Sequence, residues 1–445
     1  MTRILFFAYH FPPVGGGSVQ RSARFTRLLP EHGYEPVCLA GPGTARSRWT
    51  PADETLGDEI PPETEVHRVP GPEPLPATGA RASLNRWLRR PEAWTQWWWN
   101  GVKTTGRDLA ATTDLIYVQM QPYDSAEPGA WLAHVSGKPW VADLLDPWAL
   151  DEMMIYPSSL HRRRELTRMR STLATASAIV MNTPEAATRV REAFPELRET
   201  PIYSISNGFD PLDFEGPRPE RDDNSFRIVH TGYLHTELGR QMRNRALLRR
   251  LVGGDVRGID IYTRSHVFLL QAIEALIAEQ PELSTKIELH LAGVLSEGDR
   301  EVAAARSASV HLHGYLEHPL TVALQRSADL LFLPMHDLPP GSRSTIIPGK
   351  TWEYLASERP ILAAVPEGDA RDVLTEAGSA FIARPREVEV MKEIIGRQIQ
   401  AAKNGEPSRT PDKELVGRYA YPHLTGELAA VFDRVLSAKP PSAAA

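Results

Sequence analysis

The fold of the chain is decided by one stretch of its sequence, residues Ile347 to Ala363, which runs IPGKTWEYLASERPILA. This stretch predicts a short helix that starts in a loop and ends just before a buried strand. Pro348 suits a first helical turn because its missing N–H would be unpaired there, and Pro360 marks a point beyond the helix end. A helix that leads directly into a buried strand is typical of a parallel α/β sheet.

The predicted helix has two different faces. At about 100° per residue, Trp352, Leu355 and Ala356 share one face, and Lys350 and Glu353 lie on the other. A lysine in the first turn faces the positive end of the helix dipole, which costs roughly 0.3–1 kcal/mol. A bound anion would reverse that penalty, since free N–H groups at a helix start and a lysine together form a phosphate site. The alternative is a solvated Lys–Glu pair.

Length and composition restrict the class of protein. A chain of 445 residues predicts two domains of about 200 residues each, and 42% hydrophobic and 24% charged residues are typical of globular proteins. The net charge of −6 argues against a nucleic-acid binder. The only cysteine, Cys38, excludes an intrachain disulfide and a thiolate metal site, and its apolar surroundings indicate a buried strand residue. With neither a signal peptide nor a membrane-length apolar run, we expect a cytoplasmic protein.

The N-terminal segment has a strand, a glycine-rich turn and a helix in succession. An apolar run from Arg3 to Phe11 is followed by Gly15, Gly16 and Gly17, and then by helical spacing from Ser18 to His32. Glycines allow backbone N–H groups to approach a ligand closely, and the turn opens at a helix N-terminus that favours negative charge. The spacing differs from the dinucleotide-binding fingerprint. A simple tight connection is the alternative.

Further strands are predicted in both halves of the chain. In the first half they are Glu35–Ala40, Glu65–Val69, Asp114–Met120, Lys138–Leu145, Ala178–Thr183 and Pro201–Ser206. In the second half they are Phe226–Thr231, Lys286–Ala292, Val310–His313, Leu330–Met335, Pro360–Val365 and Ala380–Ala383. Because strands alternate with helices throughout, we expect two doubly wound parallel sheets.

The composition also predicts where the domains begin and end. We expect a first domain over residues 1–210, a linker rich in Pro, Arg and Asp over 211–224, and a second domain over 225–412. Residues 413–437 form a predicted C-terminal helix that packs on the first domain. Residues 438–445 form a predicted disordered tail.

Two segments combine aromatic or basic side chains. The helix with Trp94 and Trp97–Trp99 follows a segment containing Arg86, Trp87, Arg89 and Arg90, which suggests a membrane-surface or acceptor-binding patch, with core packing as the alternative. The helix from His161 to about Thr175 carries five arginines. They suit anionic lipid headgroups, or they form a solvated helix face.

Two titratable residues are candidates for acceptor chemistry. Asp146 directly follows a buried strand, at the sheet edge where open α/β folds place ligands, although a cap or turn role would explain it equally well. His10 ends the first strand. Among the 14 histidines we predict no metal site, since the alternation of His311 and His313 suits a strand better.

Four groups of residues, taken in order, resemble family-four glycosyltransferases of the GT-B fold over about residues 1–437. They are Phe11-Pro12-Pro13 with Gly15–Gly17 and Arg21, Asp146-Pro147-Trp148, Asn207-Gly208-Phe209-Asp210, and Pro348-Gly349-Lys350 with Glu353-Tyr354-Leu355. The resemblance implies two Rossmann-like domains facing across a cleft, with a C-terminal helix crossing back to the first domain.

The same resemblance implies a reaction and its partners. The enzyme would be a retaining, hexosyltransferase-type glycosyltransferase that moves a sugar from a nucleotide diphosphate sugar to a glycan, lipid-linked or small-molecule acceptor. It would require no metal or other cofactor. It would be cytoplasmic, or bound peripherally at the inner membrane face. The C-terminal domain would hold the nucleotide and the N-terminal domain the acceptor.

Site residues follow from the resemblance position by position. Glu353 would bind the ribose, Lys350 would lie near the phosphates, and Tyr315 and Leu316 would flank the base after the strand that ends at Gly314. The remaining donor-side residues would be Gly15, Gly16, Gly17 and Gly232. The resemblance makes Arg264, Lys350 and Asp146 the candidate catalytic residues, and His10, Arg21 and Asp146 the acceptor-side candidates.

The sequence departs from the family pattern at two places. Eight positions before Glu353, where the family usually has a glutamate that contacts the donor sugar, this chain has Thr345, and its hydroxyl or that of neighbouring Ser344 would supply the donor contact instead. An insertion from Leu234 to about Tyr262 separates the strand ending at Gly232 from Arg264, the best candidate for the diphosphate clamp, with Arg240 and Arg243 as rivals.

Two other functions fit the same sequence. A nucleotide-sugar epimerase of the same fold would need an acid–base carboxylate pair. A degenerate transferase would bind nucleotide without turnover, and Thr345 is the feature that favours this alternative.

Overall fold

The computed structural model describes residues 1–43, 52–88, 90–244, 252–305 and 308–438. The chain divides into two compact units. Unit 1 consists of Met1–Asp151, Leu160–Asn207 and the segment from Tyr421 onward; unit 2 consists of Glu152–Ser159 and Gly208–Ala420. Residues 439–445 of the predicted tail, and Arg89 of the predicted basic patch, lie outside the described residues.

Unit 1 is built on a parallel sheet of seven strands among the described residues. The strands are β1 Thr2–Ala8, β2 Tyr34–Ala40, β3 Glu65–Arg68, β4 Leu115–Gln119, β5 Trp140–Leu144, β6 Ala178–Met181 and β7 Ile202–Ser204. Their order is β3-β2-β1-β4-β5-β6-β7, with every pairing parallel. Strands β2 to β7 lie within two residues of their predicted bounds, because nearly continuous apolar runs mark strands that are buried on both faces. Strand β1 ends at Ala8, three residues before the end of its apolar run at Phe11.

The helices of unit 1 connect these strands. They are α1 Gly17–Leu28, α2 Gly79–Trp87, α3 Ala93–Gly101, α4 Arg107–Ala111, α5 Ala126–Ser136, α6 Ser159–Leu173 and α7 Pro184–Ala193. A short π-helix, Val102–Gly106, joins α3 to α4. Cys38 is fully buried in β2, as its apolar surroundings predict, and burial raises the pKa of its thiol to about 12.

Unit 2 is built on a second parallel sheet, of six strands among the described residues. The strands are β8 Phe226–Thr231, β9 Ile287–Ala292, β10 Ser309–Gly314, β11 Leu330–Pro334, β12 Ile361–Ala364 and β13 Ala380–Ala383. Their order is β10-β9-β8-β11-β12-β13, again with parallel pairing. The two doubly wound sheets predicted from the sequence are therefore confirmed.

The helices of unit 2 flank its sheet. They are α8 Thr236–Asn244, α9 Val267–Glu279, α10 Glu297–Ala304, α11 His318–Arg326, α12 Lys350–Ala356, α13 Asp369–Ala377, α14 Val388–Lys403 and α15 Lys413–Gly417. Helix α12 and strand β12 are the elements predicted from the stretch Ile347–Ala363. Trp352 on α12 is fully buried and stacks on Tyr419, with ring centroids 3.7 Å apart.

The last helix, α16 Tyr421–Ser437, belongs to unit 1. Phe432 of α16 packs against the rings of Tyr34 and Tyr117, and the hydroxyl of Tyr34 donates to Asp433 over 2.6 Å. Helix α16 therefore fills part of the core to which β1 also contributes.

Strand order determines where each unit can bind a ligand. The direction in which successive strands are added to the sheet reverses between β1 and β4 in unit 1 and between β8 and β11 in unit 2. In open parallel sheets, ligands bind at the carboxyl ends of strands beside such a reversal. The residues that follow β8 and β11 are therefore the first to consider in unit 2.

Candidate functional site

Three adjacent strands of unit 2 end in glycines with positive φ. Gly232 after β8, Gly293 after β9 and Gly314 at the end of β10 have φ values of 95°, 134° and 71°. The backbone N–H of Gly232 donates to Ala292 and that of Gly293 donates to Gly314, each over 2.7 Å. A Cβ atom on Gly232 would lie 2.8 Å from the Nζ atom of Lys350, so a glycine is needed for the lysine to lie against this turn.

Lys350 is the first residue of α12, and its ammonium group faces the end of β8. Its Nζ atom lies 3.3 Å from Nε2 of His230, whose Nδ1 atom is 2.9 Å from the carbonyl oxygen of Phe332. Because a carbonyl only accepts, His230 carries its proton on Nδ1 and accepts from the lysine through Nε2. Burial, followed by the nearby Arg264 guanidinium, lowers the pKa of Lys350 to about 7.

The basic groups around Lys350 lower one another's pKa values, in addition to the effect of burial. Burial, followed by Lys350, lowers the pKa of His230 well below its usual value. Burial, followed by Arg264 and Lys350, lowers the pKa of His235 to about 2. Both histidines are therefore neutral at physiological pH, and Lys350 and Arg264 supply the positive charge. Two cationic side chains at the carboxyl end of a parallel sheet form a site for an anion.

Arg264 is the arginine that faces this site, whereas its two rivals are paired elsewhere. Its Nη1 atom lies 3.0 Å from the sulfur of Met153. Arg240 forms an ion pair with Glu301, and Arg243 forms one with Asp260, each over 2.7 Å. The structure therefore favours Arg264 among the three arginines that the sequence left as candidates.

Glu353 is buried rather than solvated. It is 8% exposed, and its Oε2 atom accepts from Nε2 of Gln325 over 2.8 Å. Its Oε1 atom lies 3.8 Å from Nδ1 of His318, and Nε2 of His318 lies 3.0 Å from Asp213. A solvated Lys–Glu pair on α12 is therefore wrong, because Glu353 faces α11 across a set of polar contacts.

Two residues to which the sequence analysis assigned no role, Gln325 and Tyr354, connect these polar contacts to β8. Nε2 of Gln325 also donates to the hydroxyl of Thr231 over 3.0 Å, and the backbone N–H of Thr231 donates to the hydroxyl of Tyr354 over 2.9 Å. Gln325 and Tyr354 are both fully buried. A buried glutamine on an amphipathic helix gives no signal in one sequence, since only the fold reveals its partners.

The predicted base-binding residues lie in the loop between β10 and α11. Tyr315 and Leu316 are partly buried, and the carbonyl oxygen of Leu316 accepts from the hydroxyl of Thr321 over 3.2 Å. His318, two residues beyond Leu316, reaches Glu353. The fold therefore brings this loop to the same end of the sheet as Glu353.

Thr345, the residue in place of the expected glutamate, contacts a carboxylate from elsewhere in the chain. Its backbone N–H donates to Oε1 of Glu152 over 2.9 Å, and its hydroxyl donates to Oε2 over 2.5 Å. The hydroxyl of Ser344 and Nε2 of His336 also reach Oε1, over 2.7 and 3.2 Å. Burial raises the pKa of Glu152, but contacts with His336, Thr345 and Ser344 outweigh it and lower the pKa to about 2.

The glycine turn of unit 1 caps α1 as predicted for a strand–turn–helix segment. Gly16 is the N-cap of α1 with φ of 113°, and its carbonyl oxygen accepts from the backbone N–H groups of Val19 and Gln20. A Cβ atom on Gly17 would meet nothing within 4 Å. Gly15 is buried in the turn. The turn therefore leaves open space at Gly17, at the N-terminus of the helix.

The acceptor-side candidates lie in unit 1 but differ in exposure. Burial lowers the pKa of His10 to about 4, so its imidazole is neutral. Asp146 is partly buried, and its backbone carbonyl accepts from the hydroxyl of Tyr123 over 3.1 Å. The ring of Tyr123 stacks on Trp148, with centroids 5.2 Å apart.

Arg21 lies in the core, away from any surface. It is fully buried; its Nε atom donates to Asp143 over 2.9 Å, and its Nη1 and Nη2 atoms donate to the carbonyls of Ser206 and Ile205 over 2.7 and 3.1 Å. The structure thus places this acceptor-side candidate in an internal network that joins α1 to β5 and to the residues after β7. A buried arginine whose N–H groups are hydrogen-bonded in this way has a structural role, because removal of either partner of a buried ion pair destabilises the fold.

Unit 1 also contains a cavity of about 870 Å³ beside α3 and α6. Its lining includes Trp94, Trp99, Asp124, Glu127, Arg164 and Arg168. Arg168 forms ion pairs with Asp124 and Glu127, and its guanidinium lies 5.3 Å from the ring centre of Trp148. The walls therefore combine indole rings with charges of both signs.

The tryptophan-rich segment is divided between core and surface. Trp94 and Trp98 on α3 are buried, with indole N–H groups donating to Tyr9 and Ser125, so core packing is correct for these two residues. Trp87 on α2 is 54% exposed. Within the described residues, we find no helix that combines the length and the apolar character needed to cross a membrane.

No protein-family model and no curated protein matches the chain, whereas solved structures match almost all of it. HepE from Anabaena, in complex with UDP and glucose, aligns with a TM-score of 0.60 and 17% identity over 97% of this chain and 100% of HepE. A glycosyltransferase from Rickettsia africae aligns with a TM-score of 0.59 and 12% identity over 98% and 99% of the two chains. A Listeria monocytogenes protein named as a UDP-N-acetylglucosamine 2-epimerase aligns with a TM-score of 0.54 and 13% identity over 99% and 98%. At these identities the likeness establishes the fold: the chain has the two-sheet GT-B fold.

Proposed function

We propose that the protein is a retaining glycosyltransferase of the hexosyltransferase type that takes a sugar from a nucleotide diphosphate sugar bound by unit 2. The observation that carries this proposal is the position of Lys350, held against Gly232 beside Arg264, with Glu353 one helical turn further on. This arrangement offers two cations to a diphosphate and a carboxylate to ribose hydroxyls. HepE, which has the same fold, is found in complex with UDP, and this supports the assignment.

The proposed reaction needs stabilisation of the leaving group more than a strong base. As the bond between the anomeric carbon and the phosphate oxygen breaks, negative charge develops on the diphosphate. Preorganised donors lower the barrier most when they face that charge. We assign this role to Lys350 and Arg264, without a metal ion. The leaving phosphate would accept the proton of the acceptor hydroxyl on the same face of the sugar, which retains the anomeric configuration.

We propose that unit 1 binds the acceptor, with the cavity lined by the partly buried Trp99 as its binding surface. Indole rings pack against the apolar faces of sugar rings, and carboxylates such as Asp124 and Glu127 accept from hydroxyls. Asp146 is the proposed acceptor-orienting residue, because it follows β5 at the carboxyl edge of the sheet. Glycans, lipid-linked sugars and small hydroxyl compounds all satisfy this chemistry.

Peripheral membrane contact belongs to the same proposal when the acceptor is lipid-linked. Leu84, Trp87 and Leu88 are exposed on and just after α2, by 54%, 54% and 38%. Apolar side chains of this kind insert at the headgroup boundary. Sedimentation with anionic vesicles, compared between the wild type and a Leu84→Ser/Trp87→Ser variant, would test this contact.

The experiment that tests the function is donor-only turnover. Purified protein is first screened by thermal shift against nucleoside diphosphates and their sugar conjugates. The stabilising donor is then followed for slow release of nucleoside diphosphate, which we expect to fall at least about tenfold in Lys350→Ala and Glu353→Ala. If no nucleoside diphosphate stabilises the fold, the proposal fails.

The same experiment separates the rival functions. Conversion of the donor to its epimer would indicate the epimerase. Tight nucleotide binding without release or conversion, also in the presence of a panel of glycan and lipid acceptors, would indicate a binding protein without turnover.

A further inference from the structure

Four polar side chains lie together on one face of unit 2, outside the residues used above. Glu288 and His290 lie on β9, and His311 and His313 lie on the edge strand β10. In the parallel register, Glu288 pairs with Ser309 and His290 pairs with His311. Because side chains alternate along a strand, Glu288, His290 and His311 point to the same side of the sheet. The register of β10 shifts between Leu312 and Gly314, and the contact of His313 with His290 places its ring on this side as well.

The ligand atoms of three of these residues are close enough to share a metal ion. One atom each of Glu288, His290 and His311 lies within 4.8 Å of the other two. Nε2 of His290 is 3.2 Å from Oε2 of Glu288, and Nε2 of His311 is 3.9 Å from Oε1. The rings of His290 and His311 stack, with centroids 4.5 Å apart. Small side-chain rotations would bring three ligands to about 2.0–2.2 Å from a zinc ion.

The protonation states suit a cation. Burial lowers the pKa of His290 to about 4, and burial followed by His311 lowers the pKa of His313. Burial raises the pKa of Glu288, but hydrogen bonds with Ser225 and His290 outweigh it, and the net shift is downward. Neutral imidazole and ionised carboxylate are the forms that bind a metal.

His290 and Glu288 each have a partner that fixes the orientation of the side chain. Nδ1 of His290 is 3.0 Å from Nε2 of His313, and the hydroxyl of Ser225 donates to Glu288 over 2.9 Å. Second contacts of this kind orient the ligands of protein metal sites. The side chain of His311 is 45% exposed, so an ion has access from solvent.

We propose that Glu288, His290 and His311 bind a transition-metal ion, with zinc as the best match, and that the ion joins edge strand β10 to β9. Two imidazoles and a carboxylate suit zinc or its neighbours in the first transition row, and solvent would complete the tetrahedron. Alternation along β10 explains His311 and His313, but it does not explain why β9 places Glu288 and His290 beside them. The site does not depend on the proposed sugar transfer, in which it has no role.

The test is titration of tag-free, full-length protein with Zn²⁺ after removal of metals by a chelator, followed by Co²⁺ as a spectroscopic probe. We expect one equivalent to bind, with the visible absorption of tetrahedral cobalt. His311→Ala should abolish this binding. His313→Ala should weaken it about 10- to 100-fold, since His313 contacts only a ligand.

The matched control is His423→Ala. His423 is exposed and lies 3.6 Å from Glu427 in an i, i+4 pair. The His423→Ala substitution therefore removes a histidine beside a carboxylate and leaves Glu288, His290 and His311 unchanged. His311 is also exposed, so its variant should have an unchanged melting temperature without metal. Absence of saturable binding, or equal binding by wild type and His311→Ala, would overturn the proposal.

Discussion

Thr345 donates two hydrogen bonds to Glu152, a residue 193 positions earlier in the chain, one from its backbone and one from its hydroxyl. The position where the resemblance leads one to expect a glutamate thus has a threonine that holds a carboxylate from another segment. Glu152 is 1% exposed, and its Oε1 atom is also reached by the hydroxyl of Ser344 in the same loop and by Nε2 of His336 after β11. The contacts of Glu152 hold the loop that precedes α12, and they therefore help to position Lys350 at the start of that helix.

Glu152→Gln should destabilise unit 2 by about 2–4 kcal/mol, because an amide cannot accept all the hydrogen bonds that now converge on the carboxylate. Urea unfolding monitored by tryptophan fluorescence would measure the loss. Ser344→Ala is the control, since it removes a single donor and should cost about 1 kcal/mol. Equal stability of wild type and Glu152→Gln would show that this network contributes nothing.

The contribution of Glu152 should also depend on pH. Its folded-state pKa of about 2 is below the ordinary value of about 4.3, so the stabilisation is complete above about pH 4.5 and is lost as pH falls toward 2. The stability difference between the wild type and Glu152→Gln should therefore shrink over this range. Unfolding curves from pH 7 down to about 2.5 would show it.

Nucleotide affinity should fall as pH rises above 7. Lys350 has a pKa of about 7 without ligand, and a bound diphosphate would raise it, so binding above pH 7 requires proton uptake. Affinity should fall by up to about tenfold per pH unit above 7 and be flatter below it. Calorimetry in buffers of different ionisation enthalpy would count the protons. Lys350→Arg, which does not titrate in this range, should abolish the slope above pH 7.

Removing the Lys350 charge should stabilise the protein without ligand. The pKa of Lys350 is lower in the folded than in the unfolded state, so the unfolded chain binds more protons between about pH 7 and 10.5. Lys350→Met should raise the melting temperature by about 2–4 °C for each kcal/mol by which removal of the buried charge increases the free energy of unfolding. The same variant should lose the further stabilisation given by nucleotide, whereas a general packing defect would lower both values.

Gly232→Ala should displace Lys350. The new Cβ atom would lie 2.8 Å from Nζ, and φ of 95° disfavours a side chain, so we expect nucleotide affinity to fall by about tenfold or more. Gly341→Ala is the control, because Gly341 has φ of 79° but its Cβ would meet nothing within 4 Å. Calorimetric titration of both variants measures the difference; similar affinities would remove Gly232 from the site.

Glu353→Ala should remove discrimination between ribose and deoxyribose. Hydrogen bonds to a charged group are worth about 1.5–3 kcal/mol, so the wild type should bind a nucleoside diphosphate at least about tenfold more tightly than its 2′,3′-dideoxy analogue. The variant should bind both equally. Glu358→Ala is the control, since Glu358 lies just after the same helix and pairs with Lys413 over 2.6 Å. Retained discrimination in Glu353→Ala would place the ribose elsewhere.

The sequence was sufficient to predict the strands and helices and the end of the unit 2 sheet at which the candidate site lies. Apolar runs bounded by glycine and proline mark the strands, and β8 and β13 have their predicted bounds. The position of Lys350 at the start of α12 also follows from local rules, because Pro348 and the apolar face of Trp352 and Leu355 determine the helix.

The contacts that complete the site were not predictable in the same way. Gln325 reaches Glu353 from 28 positions earlier, and Glu152 reaches Thr345 across much of the chain. Such pairs depend on how helices pack on a sheet, which no local spacing encodes. The same limit applies to Arg21: the resemblance made it an acceptor-side candidate, whereas its partner in the structure, Asp143, lies 122 positions away.

Helix α16 has a consequence for biosynthesis. Tyr34 and Tyr117 leave the ribosome long before Phe432 and Asp433, the residues that cover them, have been made. Unit 1 therefore cannot finish folding until α16 has been synthesised, and until then the nascent chain carries an uncovered aromatic surface. A stop codon shortly before Tyr421 would leave that surface permanently exposed, so such a truncated product should be a substrate for chaperones and proteases.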